Sequence, residues 1–228
     1  MPSFPIVVDT VVLDVDGTLV DSNYHLTLAW WRAFGDVGRH VPAWRIHRSI
    51  GMGGDRLVAA VAGDDAEERD GDRVRTAWER HYDAVLAQIR PLPGAPELVS
   101  ELDGRGFGVS LASSGLPRHT RNALALLGSS GHIDAATTSE DADESKPHPE
   151  LVQVALDEVD ASRAVMVGDS VWDVSSARSA GLPVIGLLCG GFGRAELTDE
   201  GAALVCDGPD ELLNRIDEVL RCAGGDSA

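Results

Sequence analysis

Lysine is nearly absent from this chain of 228 residues, which contains a single lysine, Lys146, and eighteen arginines. A coding bias towards arginine accounts for the general depletion, but the one lysine that remains needs a reason of its own. Cysteine is also scarce, and Cys189, Cys206 and Cys222 are scattered along the sequence. Because disulfide frameworks and zinc sites use paired or closely spaced cysteines, these residues predict reduced thiols in a cytoplasmic protein.

No apolar run is long enough to cross a bilayer, and Met1–Thr10 has no basic flank, so we expect neither a membrane span nor a signal peptide. The formal net charge is −18. Such an acidic chain disfavours nucleic acid and anionic membranes as partners. The apolar content of 43% and the charged content of 25% are typical of a globular protein. We therefore expect a cytoplasmic monomer or weak dimer with one sizeable core.

Short apolar runs, typical of buried strands, alternate with helical patterns in much of the chain. The first run is Thr10–Val15, and later runs lie near residues 108–112, 135–138, 164–167, 183–187 and 204. Helices are predicted over about 96–105, 117–127, 148–159, 172–180 and 209–222, with a frayed tail after the last helix and a flexible glycine turn just after residue 189. This alternation favours a parallel sheet with helices on both faces, whose ligands bind at the carboxyl ends of the strands.

The segment 22–90 differs from the rest in pattern and in charge. Apolar residues recur at helical spacing, and the break at Pro91–Ala95 ends the pattern. The segment holds ten acidic residues and ten arginines, whereas the remainder holds 27 acidic and nine basic residues. We therefore predict a core of residues 1–21 and 91–228 with a helical insert over 22–90. The insert is either a lid that brings cations over an anionic substrate or a module whose surface charges simply pair.

The strongest motif is Asp14–Asp21, directly after the first predicted strand. Asp14 and Asp16 are two residues apart, so one carboxylate can attack a substrate while the other moves a proton. A calcium-binding loop of the EF-hand type is the alternative. It fails because its required glycine would fall on Leu19 and its bidentate glutamate on His25.

Three further motifs follow at other strand ends. Ala112–Gly115 offers a serine hydroxyl and backbone N–H groups to a phosphate, although such a sequence alone most often forms only a turn. Lys146 lies just before a predicted helix and can neutralise a phosphate. Asp169 ends a strand and Asp173 lies one helical turn later, an arrangement of oxygen ligands that suits Mg²⁺.

Together, in this order and each at a strand end, the four motifs resemble the haloacid dehalogenase superfamily, and in particular its phosphoglycolate phosphatase-like branch. The resemblance covers nearly the whole chain, and the insert looks like that superfamily's first type of cap. It implies an α/β fold, with a Rossmann-like three-layer parallel sheet core and an inserted α-helical cap domain. It also implies a Mg²⁺-dependent phosphatase that hydrolyses a small phosphorylated metabolite through an aspartyl-phosphate.

The resemblance assigns a role to each motif residue. Asp14 is expected to be the nucleophile, and Asp16 the general acid and base. Mg²⁺ is expected to be held by Asp14, the carbonyl of Asp16 and Asp169, while Asp173 orients metal water or Lys146. The phosphoryl group is expected to be bound by Ser113, Ser114 and Lys146. An aspartate that attacks a phosphate dianion meets like charge, and a divalent ion and a lysine offset that repulsion.

Three residues outside these roles are candidates for substrate specificity: Arg48, Arg56 and Trp172. Gly51–Arg56 resembles the specificity loop of the cap, so removing the charge of Arg48 or Arg56 is expected to raise KM for an anionic substrate. Trp172 lies beside the fourth motif, where it either touches substrate or packs.

Two other activities in the superfamily are disfavoured, and two alternatives stay open. Asp16 argues against a dehalogenase, because a halide leaving group needs no proton, and the absence of lysine from 22–90 excludes a Schiff-base hydrolase. A sugar-phosphate mutase of the β-phosphoglucomutase type is the first alternative. Its cap histidine lies twelve residues after the nucleophile, a position that here is Leu26; His25 is one short and is assigned a structural or hinge role. A phosphoaccepting, receiver-like regulatory protein is the second.

Overall fold

A six-stranded parallel sheet forms the centre of the computed structural model, which describes residues 8–218. Its spatial order is β3-β2-β1-β4-β5-β6. The strands are β1 (Thr10–Leu13), β2 (Gly108–Ala112), β3 (Ala135–Thr137), β4 (Ala164–Gly168), β5 (Val184–Leu187) and β6 (Leu204–Cys206).

The middle of the sheet is apolar on both faces. Every residue of β1, β4 and β5 is buried, as expected for the interior of a parallel sheet covered by helices. Val11 of β1 lies opposite Val109 of β2 on one side and Val165 of β4 on the other. The carboxyl ends of β2, β1 and β4 are therefore neighbours at one edge of the sheet.

The chain between β1 and Ala95 is helical, with no strand of the sheet. It forms α1 (Asn23–Asp36), α2 (Ala43–His47), α3 (Gly54–Ala62) and α4 (Asp64–Asp83), and then a short 3₁₀ helix, Leu86–Gln88. The apolar stripes of α1 and α4 face each other, and Trp30 stacks on Trp78 with a ring-centroid distance of 4.7 Å. This helical insert thus has an aromatic core of its own.

The remaining helices cover both faces of the sheet. They are α5 (Ala95–Gly104), α6 (Pro117–Leu127), α7 (Glu150–Asp157), α8 (Val171–Ser179), α9 (Arg194–Glu200) and α10 (Pro209–Asn214). Because side chains alternate along a strand, Val11 and Leu13 of β1 pack into one apolar cluster and Val12 into the other. The first cluster includes residues of α5, α6 and α10, and the second includes residues of α7, α8 and α9.

The predicted fold class is confirmed: a parallel α/β sheet with helices on both faces and a helical insert. One helix, α9, was not predicted, because it is short and follows a run of glycines. The predicted helix over 209–222 corresponds to α10, Pro209–Asn214. Residues 219–222 of that prediction, the predicted tail and the residues before Val8 lie outside the described residues. Among the described helices, none combines the length and the apolar character that a membrane span requires.

Candidate active site

The four motifs converge at the carboxyl edge of the sheet. Asp14 directly follows β1, Ser113 follows β2 and Asp169 follows β4, and these three strands are adjacent. Lys146 reaches the same place from the connection between β3 and α7, where its ammonium meets Asp14. Side chains that lie far apart in the sequence are therefore within contact distance, at the position where parallel sheets bind ligands.

Lys146 is fully buried and is held by three oxygens. Its Nζ donates hydrogen bonds to Asp14 Oδ1 at 2.6 Å and to the carbonyl of Ala112 at 2.7 Å. It also forms an ion pair with Asp173 Oδ1 at 2.7 Å. Burial alone lowers the pKa of this amine, but the charges of Asp14 and Asp173 outweigh it and raise the pKa above the ordinary value. The side chain is therefore a fixed positive charge.

Three buried carboxylates surround this charge. One oxygen each of Asp14, Asp169 and Asp173 lies within 4.8 Å of the others. Burial, with the charge of Asp173, raises the pKa of Asp14 to about 7. Burial, with the charge of Asp14, raises the pKa of Asp169 well above its ordinary value. One ammonium faces three carboxylates here, so the cluster lacks positive charge.

The cluster fits a hard divalent cation. Its donors are all carboxylate oxygens, the ligands that Mg²⁺ prefers, and two positive charges would balance it. Asn23 Nδ2 donates to Asp169 Oδ2 at 2.8 Å. The other amide atom, Asn23 Oδ1, is buried without a hydrogen-bond partner among residues 8–218. A hydrated cation would supply both the missing charge and a donor.

Asp173 is oriented by the start of α8. Its Oδ2 accepts from the backbone N–H and the hydroxyl of Ser170, at 3.1 and 2.6 Å, and the Ser170 hydroxyl accepts from the Asp173 N–H in return, which forms a capping box. Its other oxygen faces Lys146. Asp173 is thus fixed on one side by Ser170 and contacts Lys146 on the other.

Asp16 is not one of the clustered carboxylates. Its Oδ1 accepts from the hydroxyl of Ser22 at 2.5 Å and from the hydroxyl of Tyr82 at 3.4 Å. Ser22 precedes α1, and its side chain makes no cap hydrogen bond to that helix. Tyr82 lies at the other end of the insert, near the end of α4. Asp16 is thus contacted from both ends of the helical insert.

The loop after β2 carries the two serines predicted to bind phosphate. Ser113 is buried, and its Oγ accepts from the N–H of Gly115 at 3.1 Å. Ser114 donates to the carbonyl of Gly51 in the insert at 3.2 Å. Ser114 and Gly115 line the cavity that Asp14 and Asp16 also line, so this loop can present donors to a group bound over Asp14.

Two glycines are required by close approach to site residues. Gly17 has φ +81°, and a Cβ there would lie 2.3 Å from Asn23 Nδ2. A Cβ on Gly190 would lie 1.7 Å from Asp169 Oδ2. Gly190 ends the 3₁₀ helix Leu188–Gly190 and accepts from Asn23 at 3.2 Å. Gly190, in the predicted flexible turn, is therefore packed against Asp169 and Asn23 of the site.

The three specificity candidates lie at the junction of insert and core. Arg48 forms an ion pair with Glu196 and sits 3.9 Å over the ring of Phe192. Arg56 pairs with Glu144 at 2.9 Å. Trp172 Nε1 donates to the carbonyl of Arg48 at 3.1 Å. None of the three lines the two cavities beside Asp14 and Ser114.

Sequence reasoning missed Tyr82, Ser22 and Asn23. Tyr82 belongs to an apolar helical stripe, which indicates a core position and conceals the contact that its hydroxyl makes. Ser22 and Asn23 stand where helix caps are common, so their polar side chains had an ordinary explanation. For Asn23 the useful signal is its position nine residues after Asp14, at the start of the helix that leads from the site into the insert.

A family model described as haloacid dehalogenase-like hydrolase matches residues 8–181 of the chain. The match spans all four motifs and the whole insert. The fold and the site thus define a hydrolase of the α/β class. The chain belongs to the haloacid dehalogenase-like hydrolase family.

Named relatives agree with this assignment. A phosphoglycolate phosphatase of Rhodospirillum rubrum is 30% identical over 208 residues, which are 86% of this chain and 86% of the relative. The crystal structure of a hydrolase from Pseudomonas syringae is 32% identical, with a TM-score of 0.85 and coverage of 92% of this chain and 99% of that one. A structure titled putative β-phosphoglucomutase, from Bacteroides vulgatus, has a TM-score of 0.84 at 19% identity, covers 96% and 91%, and shows the shared fold alone. The resemblance to the phosphoglycolate phosphatase-like branch is confirmed.

Proposed function

We propose that this enzyme is a Mg²⁺-dependent phosphatase that hydrolyses a small phosphate monoester through an aspartyl-phosphate on Asp14. The observation that carries the proposal is the buried contact of Lys146 with Asp14, at 2.6 Å, inside a cluster of three carboxylates. A fixed ammonium beside a carboxylate nucleophile offsets the repulsion between that nucleophile and a phosphate dianion.

The first step is attack by an Asp14 oxygen on phosphorus. The new O–P bond forms as the bond from phosphorus to the leaving oxygen breaks, and Asp16 gives that oxygen a proton. Lys146, the Ser113 hydroxyl and the Ser114 N–H bind the phosphoryl oxygens during the transfer. Asp14, the carbonyl of Asp16 and Asp169 would hold Mg²⁺, which supplies charge neutralisation.

The second step hydrolyses the aspartyl-phosphate. Asp16, now ionised, takes a proton from water, and that water oxygen bonds to phosphorus as the bond to Asp14 breaks. Asp16 thereby returns to its protonated form. The contacts of Asp16 with Ser22 and Tyr82 hold its carboxylate beside the cavity in which both proton transfers take place.

Residues 22–90 are the cap of this enzyme, and residues 1–21 and 91–228 are its core. Support comes from the cavity beside Asp14, because its lining combines core residues with residues of the insert. Support also comes from ion pairs between the two parts, such as Arg118 of α6 with Glu79 of α4 at 2.8 Å. A closed cap excludes bulk water until the ester is bound, and reopening releases the product.

A phosphatase fits better than the mutase alternative because of one position. Leu26, which stands where mutases carry their cap histidine, is buried and lines the cavity beside Asp14 and Asp16. A mutase needs the aspartyl-phosphate to survive until a second substrate group arrives. An apolar side chain offers neither the charge nor the hydrogen bond for that purpose.

Phosphate release from a panel of esters, with Mg²⁺ and with excess EDTA, tests the proposal. Wild-type protein is expected to hydrolyse the esters only with the cation. The phosphorylated protein is expected to lose inorganic phosphate when it is treated with hydroxylamine, which attacks the acyl carbon of an acyl phosphate. Asp14→Asn should unfold at the wild-type temperature but show neither ester hydrolysis nor hydroxylamine-sensitive phosphate. Asp157→Asn, at an exposed position, should show both. Turnover in Asp14→Asn near the wild-type rate would overturn the assignment of the nucleophile.

A further inference from the structure

Two adjoining cavities between insert and core form the leaving-group side of the proposed site. The smaller, of about 40 Å³, is lined by Asp14 and Asp16, and the larger has a volume of about 230 Å³. Both are lined by Gly54, Trp78 and Ser114. An ester whose phosphorus lies over Asp14 would therefore extend its leaving group through the smaller cavity towards the larger one.

Among residues 8–218, no cation lines the smaller cavity. Apart from the two aspartates, its lining residues are uncharged. Its insert side is apolar and is formed mainly by Leu26, Trp30, Ile50, Met52 and Trp78. A carboxylate placed here would lose its water without gaining a positive partner.

Within the described part of the chain, one cation lines the larger cavity, and that cation is already engaged. Arg75 makes a bidentate pair with Glu67, at 2.7 and 3.0 Å, a further bond to Asp72 at 2.8 Å and one to the carbonyl of Gly54 at 3.2 Å. Three carboxylates, Asp55, Glu79 and Asp143, line the same cavity. Arg118 pairs with Glu79, and Arg56 lies 3.9 Å from Asp55, but these five carboxylates still outnumber the three arginines. The wall is thus negative overall, and an anionic leaving group would be repelled.

The cap arginines that could have supplied a free cation are held elsewhere. Arg48 is bound to Glu196 and Arg56 to Glu144, both in the core. His47 donates to the carbonyl of Gly190 at 3.1 Å, and His119, whose ring contacts Trp78, contacts Asp83 at 2.8 Å. The phosphoryl end of a substrate therefore meets Lys146, whereas the leaving-group end meets no unengaged cation among the described residues.

We infer that the enzyme selects phosphate monoesters whose leaving group is uncharged, such as a small alcohol or polyol, and discriminates against leaving groups that bear a carboxylate. This rests on the proposed phosphatase activity. The hydroxyls of Ser114 and Ser139 line the larger cavity and can bond to hydroxyl groups of a polyol. Apolar contact with the stacked Trp30 and Trp78 suits its carbon chain. Specificity here arises from repulsion as well as from attraction.

Matched pairs of esters test the inference. Glycerol 3-phosphate is compared with 3-phosphoglycerate, and 2-hydroxyethyl phosphate with 2-phosphoglycolate, with p-nitrophenyl phosphate as a general substrate. We expect kcat/KM to be at least tenfold higher for the neutral member of each pair. Asp143→Asn should reduce that ratio at least twofold, while Asp157→Asn, an exposed aspartate outside both cavities, should leave it unchanged.

Each outcome bears on a different claim. Hydrolysis of the carboxylated esters as fast as their neutral partners would overturn the inference and leave the phosphatase intact. A tenfold preference for 2-aminoethyl phosphate over 2-hydroxyethyl phosphate would also overturn the inference, because the preferred leaving group would then be cationic and not uncharged. No hydrolysis of any ester, including p-nitrophenyl phosphate, would overturn the inference together with the proposed function.

Discussion

The hydroxyl of Tyr82 lies 3.4 Å from Oδ1 of Asp16, so a residue at the end of the insert contacts a carboxylate at the end of the first strand. Ser22, at the beginning of the insert, donates to the same oxygen. Burial raises the pKa of Tyr82 above its ordinary value, so its hydroxyl stays protonated and acts as a donor. The position of the insert and the orientation of Asp16 are therefore linked, because both ends of the insert contact the same oxygen.

Replacement of Tyr82 by phenylalanine should impair proton donation to the leaving group. We expect kcat/KM to fall about tenfold for an alkyl phosphate, whose leaving oxygen needs a proton, and less than twofold for p-nitrophenyl phosphate, whose leaving group departs as an anion. Steady-state kinetics on the two esters, with a thermal unfolding curve for the variant, make the comparison. A merely structural role would lower both values together.

Two reference variants accompany Tyr82→Phe. Tyr24→Phe changes the other tyrosine of the chain, which is 60% exposed, and should act as wild type. Asp16→Asn should show the same dependence on the leaving group, in stronger form. If Asp16→Asn shows it and Tyr82→Phe does not, Tyr82 has no part in positioning Asp16.

Loss of the Lys146 charge should remove most activity. We expect Lys146→Ala to lower kcat/KM about a thousandfold, because the transferring phosphoryl group loses its fixed cation. The variant also leaves Asp14 and Asp173 without a counter-charge and should unfold at a lower temperature. Lys146→Arg retains the charge but not the compact geometry, so it should recover stability more than activity. Near-normal turnover in Lys146→Ala would show that the lysine is not in the phosphoryl site.

Stabilisation by Mg²⁺ should increase with pH. The folded-state pKa of Asp14, about 7, is above that of an aspartate in the unfolded chain. The folded protein therefore binds more protons between the two values, and without cations its free energy of unfolding decreases as the pH rises through this window. Because Mg²⁺ competes with those protons, the rise in Tm on adding Mg²⁺ should be larger at about pH 8 than at about pH 5.5. An equal rise at both pH values would contradict this, and Asp14→Asn should weaken the pH dependence.

Gly190→Ala should damage the metal site, although Gly190 is not itself a predicted ligand. Its methyl group would lie 1.7 Å from Asp169 Oδ2, so Asp169 must move. We expect the Mg²⁺ concentration for half-maximal activity to rise at least tenfold. The matched control is Gly35→Ala in α1, where an added methyl meets nothing within 4 Å, and this variant should retain the wild-type requirement. An unchanged requirement in Gly190→Ala would show that Asp169 does not set the affinity.

Arg48 and Arg56 should affect cap closure rather than recognition of charge. Both bind core carboxylates and lie outside the cavities. The double variant Arg48→Gln/Arg56→Gln is therefore expected to lower kcat/KM by the same factor, less than about tenfold, for 3-phosphoglycerate and for glycerol 3-phosphate, since partly exposed ion pairs are individually weak. A loss confined to the carboxylated ester would return these arginines to the substrate site.

Much of the site could be predicted because it follows from connectivity. An apolar run that ends in Asp14 or in Asp169 predicts a strand and its functional end from a few adjacent residues, and parallel strands place those ends at one edge. The insert was predictable for a similar reason, since helical periodicity is local. By contrast, Tyr82 has the same local pattern whether its hydroxyl faces solvent, core or catalytic carboxylate.

Sequence patterns alone are enough to predict the parallel sheet, the helical insert and the set of charged groups at the strand ends, because each depends on a few adjacent residues or on the order of elements. Which groups meet across the chain follows from the folded structure alone: Tyr82 with Asp16, Gly190 with Asp169, and Arg48 with Glu196. These pairs depend on how the insert packs on the core and on where each side chain points. Residues so far apart in sequence have no local periodicity that encodes their contact.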